Sequence, residues 1–121
     1  MNTLVIAILS IMLSVAAQFS LKAGMSSAEV REILTQPFAL RTVSAVLTNV
    51  FVFGGFLLYG LGAVVWLGVL SKWDVSKAYP LVGLGFVFTV AIGVMAGEQV
   101  TLPRVIGVAL ICIGVFLVSR S

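Results

Sequence analysis

The chain has 121 residues, of which 61% are apolar and only 9% are charged. Soluble domains usually carry about 25% charged residues, so this composition excludes a water-soluble globular domain and predicts an integral membrane protein. The net charge is +3, but the basic residues stand singly near the ends of apolar segments. That pattern argues against nucleic acid as a partner and favours membrane lipids.

Side chains that could ligate a metal or act as a nucleophile are scarce. The sequence has no histidine and one cysteine, Cys112, which lies inside an apolar segment. Zinc sites and the Ser-His-Asp or Cys-His arrangements need side chains that this composition lacks. We therefore expect no metal site, no cofactor, no catalytic residue and no enzyme activity.

Four apolar segments are long enough to cross a bilayer, which takes about 20 helical residues. The predicted spans cover residues 4–21, 43–70, 75–96 and 102–118. No basic residue precedes the first span, as it would in a signal peptide, so we expect that span to be retained. Short connections after the second and third spans force antiparallel neighbours. The sequence predicts an all-α integral membrane four-helix bundle, a single domain over residues 1–121, with both termini on the same side.

The longest connection, residues 23–42, has the signature of a short helix. Ser26 and Glu29 have the spacing of a capping box. Apolar residues then recur at helical spacing, at Val30, Ile33 and Leu34. We predict a short amphipathic segment between the first two spans, lying in the membrane interface and ended by Pro37. A solvated loop is the alternative.

Polar residues recur every four positions along the first span, at Ser10, Ser14, Gln18 and Lys22. Four residues turn a helix by about 400°, so these side chains form a line on one face. That face should meet other helices or a polar cavity, because an unpartnered amide is costly in lipid. Interhelical hydrogen bonding is one interpretation. The other is a substrate site at Ser14, Gln18 and Lys22, since a cation one turn beyond an amide suits an anionic group.

The start of the third span contains Lys77, Tyr79 and Pro80. Pro80 removes a helical hydrogen bond and bends the chain, while Gly83 and Gly85 allow close backbone approach or flexing. We predict that Lys77 and Tyr79 bind a headgroup and that Pro80, Gly83 and Gly85 form a hinge for alternating access. A kinked helix start with interfacial anchors is the alternative.

Two further features concern the second and fourth spans. Trp66 is a candidate substrate contact, with helix packing as the alternative. Gly107 and Gly114 are seven residues apart and so share one face of the fourth span, which indicates a close helix contact. Four helices leave little room to enclose a large headgroup, and we assign these glycines to a dimer interface.

The four acidic residues lie at or outside the ends of the spans, at Glu29, Glu32, Asp74 and Glu98. A transporter that exchanges cations for protons generally needs a carboxylate inside a span, because one group must bind either ion. The positions of these acids therefore argue against that mechanism.

Three segments resemble the small four-helix proteins of the drug/metabolite transporter superfamily: Ser14–Lys22, Ala78–Leu81 and Gly97–Ile111. Members of one branch, the small multidrug resistance family, exchange cationic compounds for protons and carry a glutamate eight residues before a lysine. Ser14 stands at that position here. The other branch consists of the flippase subunits for aminoarabinose-phosphoundecaprenol. This chain is similar to that branch at Ser14–Gln18, at Lys22 and at the Ala-Tyr-Pro of residues 78–80.

The resemblance to the second branch implies a transporter subunit that flips a polyprenyl-phosphate-linked sugar or related anionic lipid across the bacterial inner membrane. Lys22 and Lys77 would hold the phosphate, and Ser14, Gln18 and Tyr79 would donate hydrogen bonds to phosphate or sugar. The subunit would act as a homodimer or as a heterodimer with a related small subunit. Two alternatives stay open: efflux of small cationic compounds, and a non-transporting accessory subunit of a membrane glycosylation system.

Overall fold

The computed structural model describes residues 2–121, and in that range every regular element is helical. Four of its helices are long and apolar enough to cross a membrane. They are α1 (Thr3–Met25), α4 (Val50–Leu70), a composite third span (Val75–Met95) and α7 (Leu102–Arg120). The predicted all-α architecture of four spanning helices is confirmed.

The helices α1 and α4 pack closely because small residues lie between them. A Cβ atom added at Gly24 would lie 2.9 Å from the backbone nitrogen of Val52, and one added at Gly62 would lie 3.4 Å from the carbonyl oxygen of Ser10. Helices associate in lipid largely through such close backbone approach, since lipid tails are as apolar as the side chains. The two helices run antiparallel as one pair.

Two hydrogen bonds from serine side chains to backbone carbonyl groups join the same pair. The Ser10 hydroxyl, which is buried, donates to the carbonyl oxygen of Gly62 at 2.7 Å, and the Ser20 hydroxyl donates to that of Phe51 at 2.6 Å. Ser10 thus takes the interhelical role that was one interpretation of the polar line on α1.

The third span changes helix type along its length. It consists of α5 (Val75–Ala78), a 3-10 segment (Tyr79–Gly83) and α6 (Leu84–Met95). Pro80 lies early in the 3-10 segment, where its missing N–H removes a hydrogen bond from the helix. A 3-10 helix turns about 120° per residue against about 100° in an α-helix. The segment therefore adds rotation between α5 and α6, by about 20° for each residue in 3-10 geometry.

The third span lies between α1 and α7. A Cβ atom at Gly85 would lie 3.3 Å from a methyl group of Ile11 in α1, and one at Gly83 would lie 2.8 Å from a methyl group of Ile111 in α7. A buried apolar cluster of Ile11, Val15, Leu81 and Val115 joins these three elements. Most of α7 remains exposed, and within this fully described helix Val115 alone is buried.

The predicted second span, residues 43–70, is divided in the structure. A short helix, α3 (Leu40–Leu47), comes first, and the spanning helix α4 starts only at Val50. The Asn49 side chain causes the division, because its oxygen accepts hydrogen bonds from the backbone N–H groups of Phe51 and Val52 at 3.0 and 3.2 Å. Such a cap satisfies amides at a new helix start.

The connection after α1 contains the predicted amphipathic helix, α2 (Ala28–Leu34), which buries Val30 and exposes Glu29 on its other side. Its cap differs from the predicted one. Ser27 accepts a hydrogen bond from the Val30 amide at 3.3 Å, whereas Ser26 ends α1. The backbone amide of Ser26 bonds back to α1, so this residue is not available to pair with Glu29.

Candidate functional site

A cleft of about 470 Å³ lies between α1, α4 and the third span. Its lining residues with polar side-chain atoms are Ser10, Ser14, Gln18, Tyr59, Trp66, Tyr79 and Thr89. The remaining described lining residues are aliphatic, glycine or phenylalanine, and no charged side chain is among them. The helix α7 contributes no described residue to this lining. The cleft therefore offers uncharged hydrogen-bonding groups and aromatic faces at the depth of the membrane.

Gln18 and Tyr59 connect α1 to α4 across the cleft. The Gln18 amide nitrogen donates to the Tyr59 hydroxyl, which gives the amide a partner inside the membrane. The Gln18 carbonyl oxygen and the Tyr59 O–H remain as an acceptor and a donor. This pair, at one end of the cleft, can meet a polar ligand from both helices.

Aromatic rings from two elements line the cleft. Trp66 on α4 both lines the cleft and packs against the buried apolar cluster. Tyr79 is 66% exposed, which leaves its hydroxyl accessible from the cleft. Rings with polar tips present an apolar face and a hydrogen-bonding group together, a combination that suits a sugar.

Tyr59 and Thr89 are polar lining residues that were not predicted as site residues. Tyr59 is seven residues before Trp66 and so shares its helix face, which was the available signal. Thr89 lies on α6, and its hydroxyl donates to the Gly85 carbonyl oxygen at 2.7 Å, leaving the oxygen lone pairs as acceptors. Its place depends on the rotation in the 3-10 segment, which the sequence pattern alone does not give.

The structure does not bring Lys22 and Lys77 together. Ala78 belongs to the same buried cluster as Ala7 of α1, so Lys77 lies near the beginning of α1. Lys22 lies about 20 Å further along that helix, at a rise of about 1.5 Å per residue. It is exposed and one turn beyond Gln18, close to that end of the cleft. Lys77 instead lies over the Trp73 ring, with its Nζ atom 4.6 Å from the ring centroid.

The predicted hinge residues lie where the third span changes helix type. Pro80 and Gly83 belong to the 3-10 segment, while Gly85 opens α6 and lines the cleft. Gly83 contacts α7 and Gly85 contacts α1. Their small size therefore serves close packing in this state, and the hinge stays a prediction.

The predicted dimer residues lie on an open face of α7. A Cβ atom added at Gly107 or Gly114 would meet no described atom within 4 Å. Neither glycine is explained by packing inside this chain.

Comparison with known proteins gives a relative that spans nearly the whole chain. A probable 4-amino-4-deoxy-L-arabinose-phosphoundecaprenol flippase subunit ArnF of Proteus mirabilis (strain HI4320) is 35% identical over 119 residues, covering 95% of this chain and 90% of that protein.

Shorter matches are to subunits named ArnE of the same kind of flippase. Identity is 44% over 63 residues with the probable subunit of Pseudomonas savastanoi pv. phaseolicola, covering 51% of this chain and 55% of that protein. Identity is 41% over 61 residues with the probable ArnE subunit of Yersinia pestis (strain Pestoides F), covering 50% of this chain and 54% of that protein. No protein-family model matches the chain, and no solved structure matches it. The resemblance to the flippase branch is confirmed, and the chain belongs to the family of 4-amino-4-deoxy-L-arabinose-phosphoundecaprenol flippase subunits.

Proposed function

We propose that this chain is one subunit of a transporter that moves a polyprenyl-phosphate-linked sugar, or a related anionic lipid, between the leaflets of the bacterial inner membrane. Membership of the flippase family and four spanning helices make it a multi-pass protein of that membrane. The observation that carries the proposal is the uncharged cleft between α1, α4 and the third span, with its hydroxyl, amide and aromatic lining.

The cleft addresses the main barrier to flipping, which is the transfer of polar groups through hydrocarbon. An unpaired hydroxyl or amide costs several kcal/mol in an apolar medium, roughly 2–7 depending on the reference. Ser14, Gln18, Tyr59 and Tyr79 offer hydrogen bonds that replace those lost from water. The lipid tail can stay in the bilayer beside the open cleft. No covalent bond changes in this process, so the proposal requires no catalytic residue and the subunit is a transporter rather than an enzyme.

We assign the phosphate of the headgroup to Lys22. This cation lies about 6 Å beyond Gln18 along α1, by the helical rise, so a sugar against Gln18 and Tyr59 would place a linked phosphate near the ammonium. Lys77 lies on a different face of the third span and takes no part in this site. This assignment differs from the sequence analysis, in which Lys22 and Lys77 both bind the phosphate.

We further propose that the chain works as a dimer with a second subunit. The relatives are named as flippase subunits, which favours a related small subunit over a second copy. The exposed α7 face with Gly107 and Gly114 supplies a surface on which a partner helix can approach closely. A dimer built in this way leaves α1, α4 and the third span free to form the pathway.

The alternative of proton-coupled efflux finds no support in the cleft. The four carboxylates lie elsewhere: Glu29 and Glu32 in α2, Asp74 at the start of α5, and Glu98 in the turn after α6. The accessory-subunit alternative differs from the proposal in an observable way, because it gives no cleft residue a direct role in lipid movement.

The test is a substitution that removes the polar pair but keeps its volume. We expect Gln18→Leu to lower outward delivery of the lipid-linked sugar at least about tenfold, the effect of losing one or two buried hydrogen bonds to the ligand. Delivery is measured in proteoliposomes containing both subunits, by accessibility of the labelled sugar to an added reagent. Gln36→Leu, in the exposed α2–α3 connection, is the matched control. Full delivery by Gln18→Leu at normal protein levels would exclude the cleft as the headgroup path.

A further inference from the structure

A second groove lies on the face of the third span that points away from the cleft. Its volume is about 600 Å³, and the start of α1, the third span and the end of α7 form its walls. The lining is mostly apolar, with Leu81, Leu84, Val115 and Phe116 among its members. Leu81 and Val115 belong to the buried cluster, so the groove reaches down to the core of the bundle.

The groove contains one charged side chain among its described lining residues, Lys77. Its Nζ atom lies 4.6 Å from the centroid of the Trp73 ring, within range of a cation–π attraction that favours this position of the ammonium. Asn2 and Ser119 add polar side chains from the ends of α1 and α7. The Ser119 hydroxyl donates to the Phe116 carbonyl oxygen at 2.8 Å, so the Asn2 amide nitrogen is the donor that can face a phosphate. A cation with an amide donor at a helix end, above an apolar groove, is complementary to a phosphate attached to an apolar chain.

The groove is distinct from both surfaces used in the proposed function. Tyr79 and Val82 face the cleft, whereas Lys77 and Leu81 face the groove, so the third span separates the two cavities. On α7, the groove residue Ser119 is five positions after Gly114, or about 140° around the helix. A partner helix on the glycine face therefore leaves the groove open to the bilayer.

We propose that this groove binds an anionic phospholipid of the surrounding bilayer, with its phosphate at Lys77 and an acyl chain along Leu81 and Leu84. Among its described lining residues the groove has one hydroxyl, that of Ser119, where the cleft has five, and its polar groups suffice for a phosphate but not for a sugar. A bulk lipid fits this chemistry better than the glycosylated carrier. Binding here ties the start of the third span to the lipid composition of one leaflet.

The experiment measures lipids retained by the purified full-length protein in native mass spectrometry, after exchange into phosphatidylglycerol or phosphatidylethanolamine. We expect Lys77→Gln to lower phosphatidylglycerol retention about fivefold, the effect of one lysine at a membrane surface. Lys77→Arg keeps the charge and stacks on Trp73, so retention should be preserved. Lys72→Gln, an exposed cation in the same connection, is the matched control and should retain phosphatidylglycerol normally.

Three results would overturn the proposal. One is equal loss in Lys72→Gln and Lys77→Gln, which would assign the effect to general surface charge. Another is unchanged retention in Lys77→Gln. A third is displacement of phosphatidylglycerol by an equimolar amount of undecaprenyl phosphate, which would make the groove a carrier-lipid site. None of these readouts requires transport, so failure here leaves the cleft proposal to its own test.

Discussion

The two halves of this bundle are held together differently. Glycines and a buried hydrogen bond join α1 to α4, with Ser10 bonded to the Gly62 carbonyl oxygen and Gly24 against the Val52 backbone. The third span and α7 meet mainly through aliphatic side chains, around Val115. Since lipid offers no hydrophobic driving force between helices, the first pair should be the more stable unit. The second pair remains open to partners and to rearrangement.

The largest expected effect breaks the close approach of α1 and α4. In Gly24→Ala the new methyl group would lie 2.5 Å from a Val52 methyl group and 2.9 Å from the Val52 backbone nitrogen, so the backbone must move. We expect a loss of about 2 kcal/mol in the free energy of unfolding, as for other overpacked sites. This free energy is measured by unfolding the protein in mixed micelles with increasing amounts of a denaturing detergent.

The matched control is Gly60→Ala on α4, where an added Cβ would meet no described atom within 4 Å. Alanine is the better helix former, so this variant should be neutral or stabilised by up to about 1 kcal/mol. Equal destabilisation of both variants would contradict the packing of α1 on α4.

A smaller effect is expected from the buried hydrogen bond in the same pair. Ser10→Ala removes the hydroxyl that donates to the Gly62 carbonyl oxygen. Because that carbonyl group remains part of the α4 helix, we expect the free energy of unfolding to fall by only about 1 kcal/mol. Ser71→Ala serves for comparison, because its hydroxyl bonds only to Gly68 in its own helix. If the two variants unfold alike in the same titration, the hydrogen bond contributes little to the pair.

The smallest effect on the protomer is expected on α7. Gly114→Val should leave the free energy of unfolding within about 0.5 kcal/mol, since surface substitutions away from contacts rarely exceed that value. It should nevertheless weaken association between subunits several-fold, measured by energy transfer between labelled protomers in liposomes. Gly60→Val adds the same bulk to an open face of α4 and should leave association unchanged. Normal association of Gly114→Val would remove the glycine face as the contact.

Much of the architecture follows from composition alone. Hydropathy gives the four spans, because the bilayer fixes the length of a helix that crosses it. Polar spacing on α1 also indicates the cleft, since a line containing Ser14 and Gln18 must avoid lipid. The residue at which α4 begins is harder to predict from hydropathy. An apolar pattern runs through residues 43–70, and only the Asn49 side chain marks the point where one helix ends and the next begins.

The role of Lys77 shows why the site is harder to predict than the fold. On a continuous α-helix, Lys77 and Gly85 would lie about 80° apart and could both face the cleft. The 3-10 segment adds rotation, about 20° for each residue in that geometry, and Lys77 lines the groove beside α7. A single proline in the sequence signals a bend, but it does not specify how far the helix rotates. The side of the third span on which each residue lies is therefore a property of the folded bundle.

The order of contacts along the chain bears on how the protein is made. Helices enter the membrane in order of synthesis, and segments nearer the N-terminus generally fold first. All described residues of the cleft lie between Ser10 and Thr89, and α7 begins only at Leu102. Every element that lines the cleft is thus synthesised before α7. The last helix can be inserted into an already paired bundle, where its exposed face is the part left for assembly with another chain.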